Sequence, residues 1–194
     1  MFIDIVLPSG NEEEFIEFAK KLGTKGLIFL YDKEDKKILA QNKKLDSKIF
    51  PIYSGLIVKN KFNSKYDFLF AEGERKFFEN KSINFLFDLE QQGRKDHTHY
   101  RQSGLTQVLC VLAKEKNKTI CFDFNSLLKG KKREELLGRM MQNARICSKY
   151  KANIKIASFA TKPFEMRAAS DMISLGVVLG LNERQAKDAV NGKV

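Results

Sequence analysis

The feature that most constrains the fold is a recurrence of short apolar runs separated by stretches with helical periodicity. Runs rich in β-branched and aromatic residues predict strands, and runs this continuous predict strands that are buried on both faces, as parallel strands are. The seven runs are FIDIVL (2–7), GLIFLY (26–31), GLIVKN (55–60), DFLFAE (67–72), INFLFDL (83–89), TICFDF (119–124) and IKIASFA (154–160).

Capping signals mark the first and the last of the intervening helices. Asn11 is the expected N-cap of the first helix, Glu14 is its capping-box partner, and Gly23 ends the helix. Asn182 and Gln185 form the same signature at the start of a short terminal helix. Before it, Pro163 suits the first turn of a helix.

Two further helices are indicated by apolar residues at helical spacing. One is expected to begin near Ser103 or Gly104. Its apolar stripe consists of Leu105, Val108, Leu109 and Leu112. The other is expected from Arg133 to Tyr150. Its stripe consists of Leu137, Met140, Met141, Ala144 and Cys147, which predicts core packing rather than a cofactor site.

Strands that alternate with helices predict βαβ units and a mainly parallel sheet. Seven strands in 194 residues favour an α/β protein with a compact or incomplete TIM-like (β/α) barrel and outer helices over a doubly wound sheet. We expect one domain over residues 1–194, and residues 32–53 are expected to form a loop with a short helix.

Composition supports a packed protein with a positive surface. Hydrophobic residues make up 43% of the chain, and the formal net charge is +11, which attracts polyanions such as nucleic acid. A lysine-rich solvated surface without a ligand is the alternative. Cys110, Cys121 and Cys147 lie in apolar contexts, which indicates reduced core residues.

The chain carries no signal for a membrane or for export. The amino terminus has acidic residues where a signal peptide needs basic and then apolar ones. No apolar run approaches the length of about 20 residues that a membrane span requires. We therefore expect a soluble, cytoplasmic protein with no membrane partner.

The motifs of several enzyme classes are missing. The sequence contains no G-x-x-x-x-G-K-[ST] loop, no G-x-G-x-x-G after a strand, no H-E-x-x-H and no G-x-S-x-G. With two adjacent histidines, His97 and His99, a Ser-His-Asp arrangement has few ways to form. A catalytic metal site would require both histidines to recruit carboxylates from strand ends. The possible carboxylates are those of Asp4, Asp88 and Asp123.

The segment GRKDHTHYRQSG (93–104), which holds both histidines, suits the binding of a polyanion better than the binding of a metal ion. It offers the cations Arg94, Lys95 and Arg101. It also offers neutral hydrogen-bonding or stacking groups at His97, His99, Tyr100 and Gln102. The backbone N–H groups of Ser103 and Gly104 would open the following helix and could receive a phosphate.

Other cations follow the last two strands. A second cluster consists of Lys129, Lys131, Lys132 and Arg133. Arg139, Arg145 and Lys149 avoid most of the apolar stripe of their helix, and for Arg145 and Lys149 a solvated helix face is the alternative to RNA contact. Lys162 and Arg167 could extend the basic surface, although Arg167 could equally pair with Asp171 or Glu165.

Two long motifs, HYRQSGLTQVLC (99–110) and ASFATKPFEMRAASD (157–171), resemble the ribonuclease P protein component 3 family. The resemblance is strong over residues 83–190 and weaker in the amino half. It implies a TIM-like barrel related to the PHP phosphoesterases, in a subunit of the ribonucleoprotein that removes the 5′ leader of precursor tRNA. It also implies that the RNA is the catalyst and binds the magnesium, so that this chain has no catalytic residue, metal or cofactor of its own.

The same resemblance implies the partners. They are the ribonuclease P RNA, precursor tRNA within the holoenzyme, protein component 2 in a heterotetramer, and other protein subunits. PHP phosphoesterases carry His-x-His on the first strand, but here that strand continues with Ile5, Val6, Leu7 and Pro8. Two alternatives to the RNA-binding subunit stay open. One is a metal-dependent PHP-type phosphoesterase built on His97 and His99, and the other is a scaffold for an acidic protein.

Overall fold

A computed structural model of the chain describes residues 1–59, 65–91 and 95–192. Over these residues the chain forms seven strands and eight α-helices. The strands are β1 (Asp4–Val6), β2 (Leu27–Tyr31), β3 (Ile52–Ile57), β4 (Phe68–Glu72), β5 (Phe85–Phe87), β6 (Thr119–Asp123) and β7 (Asn153–Ala157). The helices are α1 (Glu12–Lys21), α2 (Lys36–Leu45), α3 (Arg75–Glu79), α4 (Gln107–Glu115), α5 (Phe124–Lys129), α6 (Arg133–Tyr150), α7 (Ala169–Val178) and α8 (Glu183–Asn191).

The strands form one sheet in the order of the sequence, and each neighbouring pair is parallel. The first and last strands approach each other through a single parallel bridge between Val6 and Ala160, next to which Leu7 N donates to Ala160 O at 2.8 Å. The carboxylate of Asp4 adds to this contact by accepting from the backbone N and Oγ of Ser158 at 2.7 and 2.6 Å. The sheet is therefore a nearly closed barrel, and the predicted α/β TIM-like fold with parallel strands and outer helices is confirmed.

Alternation along the strands divides the core into two layers. On β2, Leu27 and Phe29 pack with Phe15 of α1, outside the sheet. Ile28 and Leu30, which alternate with them, pack with side chains of other strands inside the barrel. The interior is filled rather than hollow, and its aromatic centre includes Phe70 and Phe85 with ring centroids 4.6 Å apart.

The seven predicted strands are confirmed, but one of them begins earlier than expected. β3 starts at Ile52, beside Leu27 of β2, instead of at residue 55. Residues 32–53 accordingly contain α2 as well as the start of β3. Asp35 caps α2 by accepting from Lys37 N at 2.7 Å.

The two predicted capping boxes have different outcomes. At α8, Asn182 Oδ1 accepts from Gln185 N at 2.8 Å and Asn182 N donates to Gln185 Oε1 at 3.0 Å, which confirms the prediction. At α1 the helix starts after Asn11 as predicted, but the predicted capping box is wrong, because the Asn11 side chain makes no cap hydrogen bond. Its Oδ1 instead accepts from Ser9 N at 3.0 Å, in the turn that precedes the helix.

The prediction for the second apolar helix needs a correction as well. α4 begins at Gln107, because Gly104 adopts a left-handed backbone (φ +79°) and Thr106 supplies the cap to Leu109 N. Of the predicted apolar stripe, Leu105 is buried but precedes the helix, whereas Val108 is 63% exposed. Cys110 and Ala113 are the residues of α4 that are buried.

Two further predictions concern the cysteines and Pro163. Cys110, Cys121 and Cys147 are free and buried, as expected. Pro163 opens a short 3₁₀ turn (Pro163–Glu165), and the following helix starts only at Ala169. Among the residues that the structure describes, no helix has both the length and the apolar character that a membrane span requires.

Candidate nucleic-acid interface

Topology brings the predicted basic segments to one edge of the barrel. β5, β6 and β7 are parallel neighbours, so the chain leaves all three at the same edge. Lys95 to Arg101 follow β5, Lys129 to Arg133 follow β6, and Lys162 and Arg167 follow β7. Arg94 lies outside the described residues.

The loop after β5 (residues 95–106) is fastened to α6 by Asp96. Its carboxylate accepts from Arg139 Nε at 2.8 Å, from Gln102 N at 2.8 Å and from Arg101 Nη1 at 3.4 Å. Desolvation acts to raise the pKa of Asp96, but the hydrogen bonds from Gln102 and Arg139 outweigh it and the pKa is lowered. The ionised carboxylate therefore holds both ends of the turn that contains the histidines.

Arg139 is the buried partner in this contact. It is 5% exposed, and it also pairs with Glu135 Oε1 at 2.5 Å and donates from Nη1 to Glu90 O at 2.9 Å. The expectation that Arg139 lies on a face away from the core is wrong, because the loop folds across this part of α6. Arg145 and Lys149 on the same helix are exposed.

One helical turn further along α6, amide side chains complete the attachment. Asn143 Nδ2 donates to Glu90 Oε1 at 2.7 Å and to Ser103 O at 2.8 Å. Gln142 Nε2 donates to Arg101 O at 3.0 Å and to Ser103 Oγ at 2.8 Å. Ser103 thus belongs to a loop held by a helix, and the prediction that Ser103 and Gly104 open a helix is wrong.

Glu90 lies at the centre of the attachment and is buried. Desolvation raises its pKa to about 7, against the opposing effect of the hydrogen bond from Asn143. Sequence reasoning did not identify Glu90, Arg139 or Asn143 as a unit. The available signal was Arg139 and Asn143 at a spacing of four within a helix whose neighbouring positions, Met140 and Ala144, are core residues.

Gly138 allows Arg101 to lie close to α6. A Cβ at position 138 would lie 2.4 Å from Cζ of Arg101, so only glycine fits under the guanidinium group in this position. Glycine inside a helix costs about 1 kcal/mol relative to alanine. In α6 this glycine allows the close approach of Arg101, whose guanidinium also contacts Asp96.

The two histidines lie on the exposed tip of the loop. His97 N donates to Tyr100 O at 2.9 Å, and the two rings stack with centroids 4.4 Å apart and an interplanar angle of 24°. Tyr100 is 57% exposed, and His97 and His99 are exposed as well. This places a preformed aromatic pair at the surface beside Lys95.

A surface groove of about 420 Å³ joins the first basic segment to the second. Lys95 lines it from the loop, and Lys131 and Lys132 line it from the segment before α6. Its other lining residues are Glu90, Gln91, Gly130, Glu135, Leu136 and Arg139. Lys132 also pairs with Glu135 at 3.2 Å. Arg133 lies just beyond the groove and donates to the backbone carbonyl of Leu128.

The remaining candidate cations, Lys129, Lys162 and Arg167, differ in how far their side chains contact the rest of the protein. Lys129 Nζ contacts Glu165 Oε2 at 2.8 Å, and despite desolvation this contact helps to lower the pKa of Glu165 to about 2. Lys162 is exposed. Arg167 donates to the carbonyls of Phe164 and Met166 at 3.1 and 2.9 Å, while its possible partner Glu165 pairs with Lys129 instead.

The three carboxylates considered for a metal site have other partners. Desolvation raises the pKa of Asp88, against the opposing effect of its side-chain hydrogen bond with Gln91. Asp4 is buried and bound by Ser158, and desolvation raises its pKa to about 6. Asp123 caps α5 by accepting from Ser126 N at 3.1 Å. Within residues 1–59, 65–91 and 95–192, no three histidine, cysteine, aspartate or glutamate side chains are grouped as a metal site requires.

Comparison with known proteins assigns this chain to a family. The family model described as "RNase P subunit p30" matches residues 1–194. A Methanosarcina acetivorans protein named "Ribonuclease P protein component 3" is 30% identical over 139 residues, which cover 68% of this chain and 54% of that protein. The protein of the same name from Methanosarcina barkeri is 26% identical over 205 residues, covering 95% of this chain and 82% of that protein. The match to the first relative therefore spans about half of its length.

Two solved structures have the same fold. A chain in "cryo-EM structure of archaeal Ribonuclease P with mature tRNA" is 24% identical and has a TM-score of 0.80, covering 97% of this chain and 87% of that chain. Histidinol phosphate phosphatase from Lactococcus lactis, solved with zinc, L-histidinol and phosphate, is 9% identical and has a TM-score of 0.55, covering 97% and 93%. At these identities the likeness concerns the fold alone.

Proposed function

Since the chain belongs to the RNase P subunit p30 family, we propose that it is an RNA-binding protein subunit of ribonuclease P, which removes the 5′ leader of precursor tRNA. The match of the family model to residues 1–194 carries this proposal. In this enzyme, we propose, the RNA performs the cleavage with magnesium that the RNA itself binds. The present chain stabilises the active fold of the RNA. The chain contributes no catalytic side chain, metal or cofactor.

The basic edge of the barrel supports a role in binding RNA. Lys95, Lys131 and Lys132 line one groove, and a protein that neutralises phosphates gains affinity by releasing counterions. The proposed RNA contacts are Arg94, Lys95, His97, His99, Arg101, Lys129, Lys131, Lys132, Arg133, Lys162 and Arg167. Arg167 has the weakest support in this set, because its guanidinium already binds two backbone carbonyls.

The proposed partners follow from the family. Within the holoenzyme, residues 1–194 act as one domain that pairs with protein component 2 in a heterotetramer and meets further protein subunits, the ribonuclease P RNA and precursor tRNA. The solved archaeal ribonuclease P, whose chain has this fold, contains mature tRNA. The proposed site of action is the cytoplasm.

The alternative of a metal-dependent phosphoesterase has less support. It requires His97 and His99 to converge with Asp4, Asp88 or Asp123. The histidines lie on an exposed loop, and the three aspartates have hydrogen-bond partners in Ser158, Gln91 and Ser126. Metal analysis of the purified protein tests it, since a stoichiometric transition metal would favour the phosphoesterase.

Binding of ribonuclease P RNA across a salt series tests the proposed function. We expect log Kd to rise steeply with log salt, and we expect the triple variant Lys95→Ala, Lys131→Ala, Lys132→Ala to lower the slope by about 2. The matched control changes Lys36, Lys43 and Lys44, which are exposed on α2, to alanine and removes the same charge. Affinity that is independent of salt would contradict the proposal and favour a scaffold for an acidic protein.

A further inference from the structure

The turn from His97 to Tyr100 carries a pair of aromatic rings, which the neutralisation of phosphate charges does not require. Two stacked aromatic rings lie at the surface, although apolar ring faces are usually buried. Tyr100 is 57% exposed although His97 stacks on its ring, so the ring pair is accessible to a further planar group. An exposed aromatic face beside cations is typical of sites where unpaired nucleic-acid bases stack.

The turn that carries the rings is anchored to the protein on both sides. Asp96 on one side of the turn is bound by the buried Arg139, and Ser103 on the other side is bound by Asn143 and Gln142. The backbone bond from His97 N to Tyr100 O closes the turn between them. A group that is already immobilised loses little conformational entropy on binding, so this turn suits recognition better than a mobile loop would.

The groove begins next to the rings, because Lys95 is only two residues before His97. Its charged lining comprises four cations, Lys95, Lys131, Lys132 and Arg139, against two carboxylates, Glu90 and Glu135. Arg139 is engaged with Asp96 and Glu135, whereas Lys95 and Lys131 are exposed lysines. The excess positive charge on the exposed side of the groove suits backbone phosphates.

We infer that the turn and the groove together bind a single-stranded segment of RNA, with one unpaired base stacked on the His97–Tyr100 ring pair and neighbouring phosphates at Lys95, Lys131 and Lys132. This inference rests on the proposed function and specifies its ligand. A duplex stacks its own bases on one another and offers no free base face, so it would use the lysines but not the rings.

The absence of tryptophan from the chain permits a direct test. A Tyr100→Trp variant contains a single indole, which a stacked base quenches. We expect a short oligouridine to quench its fluorescence about twofold and a duplex RNA of equal length to leave it nearly unchanged. The matched control is Val178→Trp, which places the indole on α7 at a residue that is 55% exposed, and it should respond to neither RNA.

Affinity measurements on the same protein separate stacking from a structural role of the ring. Tyr100→Phe should retain the wild-type affinity for oligouridine, and Tyr100→Leu should lower it about tenfold with an unchanged melting temperature. Equal quenching in both tryptophan variants, or RNA binding by Tyr100→Trp without quenching, would overturn the inference and leave the proposed function intact. Stronger quenching by polyglutamate than by oligouridine would also overturn it. Failure of the wild-type protein to bind ribonuclease P RNA would instead contradict the proposed function.

Discussion

Arg139 is the residue on which the position of the basic loop depends. Its guanidinium joins Asp96 of the loop, Glu135 of α6 and the carbonyl of Glu90, and it is almost fully buried. Replacing one partner of a buried ion pair leaves the other charges without compensation. Arg139→Met should therefore lower the free energy of unfolding by about 3 kcal/mol. Urea denaturation measures this change.

Arg145→Met is the matched control for that substitution. It removes the same group from an exposed position on the same helix, and its effect should stay within about 0.5 kcal/mol. Equal effects of the two substitutions would show that the buried contacts of Arg139 do not stabilise the loop.

Glu90 makes the stability depend on pH. Its pKa is raised by desolvation from 4.5 to about 7, so the folded protein holds a proton in this interval that the unfolded chain has released. Stability from this group is therefore complete below about pH 4.5 and is lost as the pH rises through 7. Glu90→Gln keeps the acceptor for Asn143 but has no proton to lose.

The free energy of unfolding of the variant minus that of the wild type should consequently be about 2 kcal/mol larger at pH 8 than at pH 5. Urea denaturation of both proteins at these two pH values measures the difference. Asp4 and Asp123 also have raised pKa values, so the wild type alone cannot isolate Glu90, but the comparison with the variant does. Parallel pH profiles would contradict the assignment.

At the scale of elements, α6 and the loop after β5 form one unit. The bounds of α6 were predictable, because its apolar residues recur at helical spacing from Arg133 to Tyr150. The burial of Arg139 was not, because its partner Asp96 is 43 residues away in sequence. For α4, the spacing indicated a helix, but the contacts that hold Ser103 and the backbone of Gly104 delay its start to Gln107.

A substitution at Gly138 tests whether this unit positions Arg101. Gly138→Ala should leave the free energy of unfolding unchanged or raise it by up to about 1 kcal/mol, because alanine favours the helix. The new Cβ must displace the Arg101 guanidinium, so affinity for ribonuclease P RNA should fall severalfold. Filter binding and urea denaturation on one preparation measure both effects.

Met141→Ala, at an exposed position on the same helix, is the control and should leave RNA affinity unchanged. A Gly138→Ala variant that binds RNA as tightly as wild type would mean that the position of Arg101 does not matter for binding.

At the scale of the whole molecule, the strand order follows the sequence and produces both the fold and the site. Seven apolar runs separated by helical patterns were sufficient to predict a parallel barrel, since each run had to be covered on both faces. The basic segments could be recognised individually. That Lys95 shares a groove with Lys131 and Lys132 depends on loop conformations, which periodicity does not encode.

The rate of precursor tRNA cleavage in a reconstituted enzyme tests the central claim most directly. The cognate RNA is combined with protein component 2 at moderate magnesium, with and without this chain. The proposed function predicts that the chain raises the cleavage rate and that the purified chain alone cleaves no precursor tRNA. Equal rates with and without the chain, or cleavage by the chain alone, would contradict it.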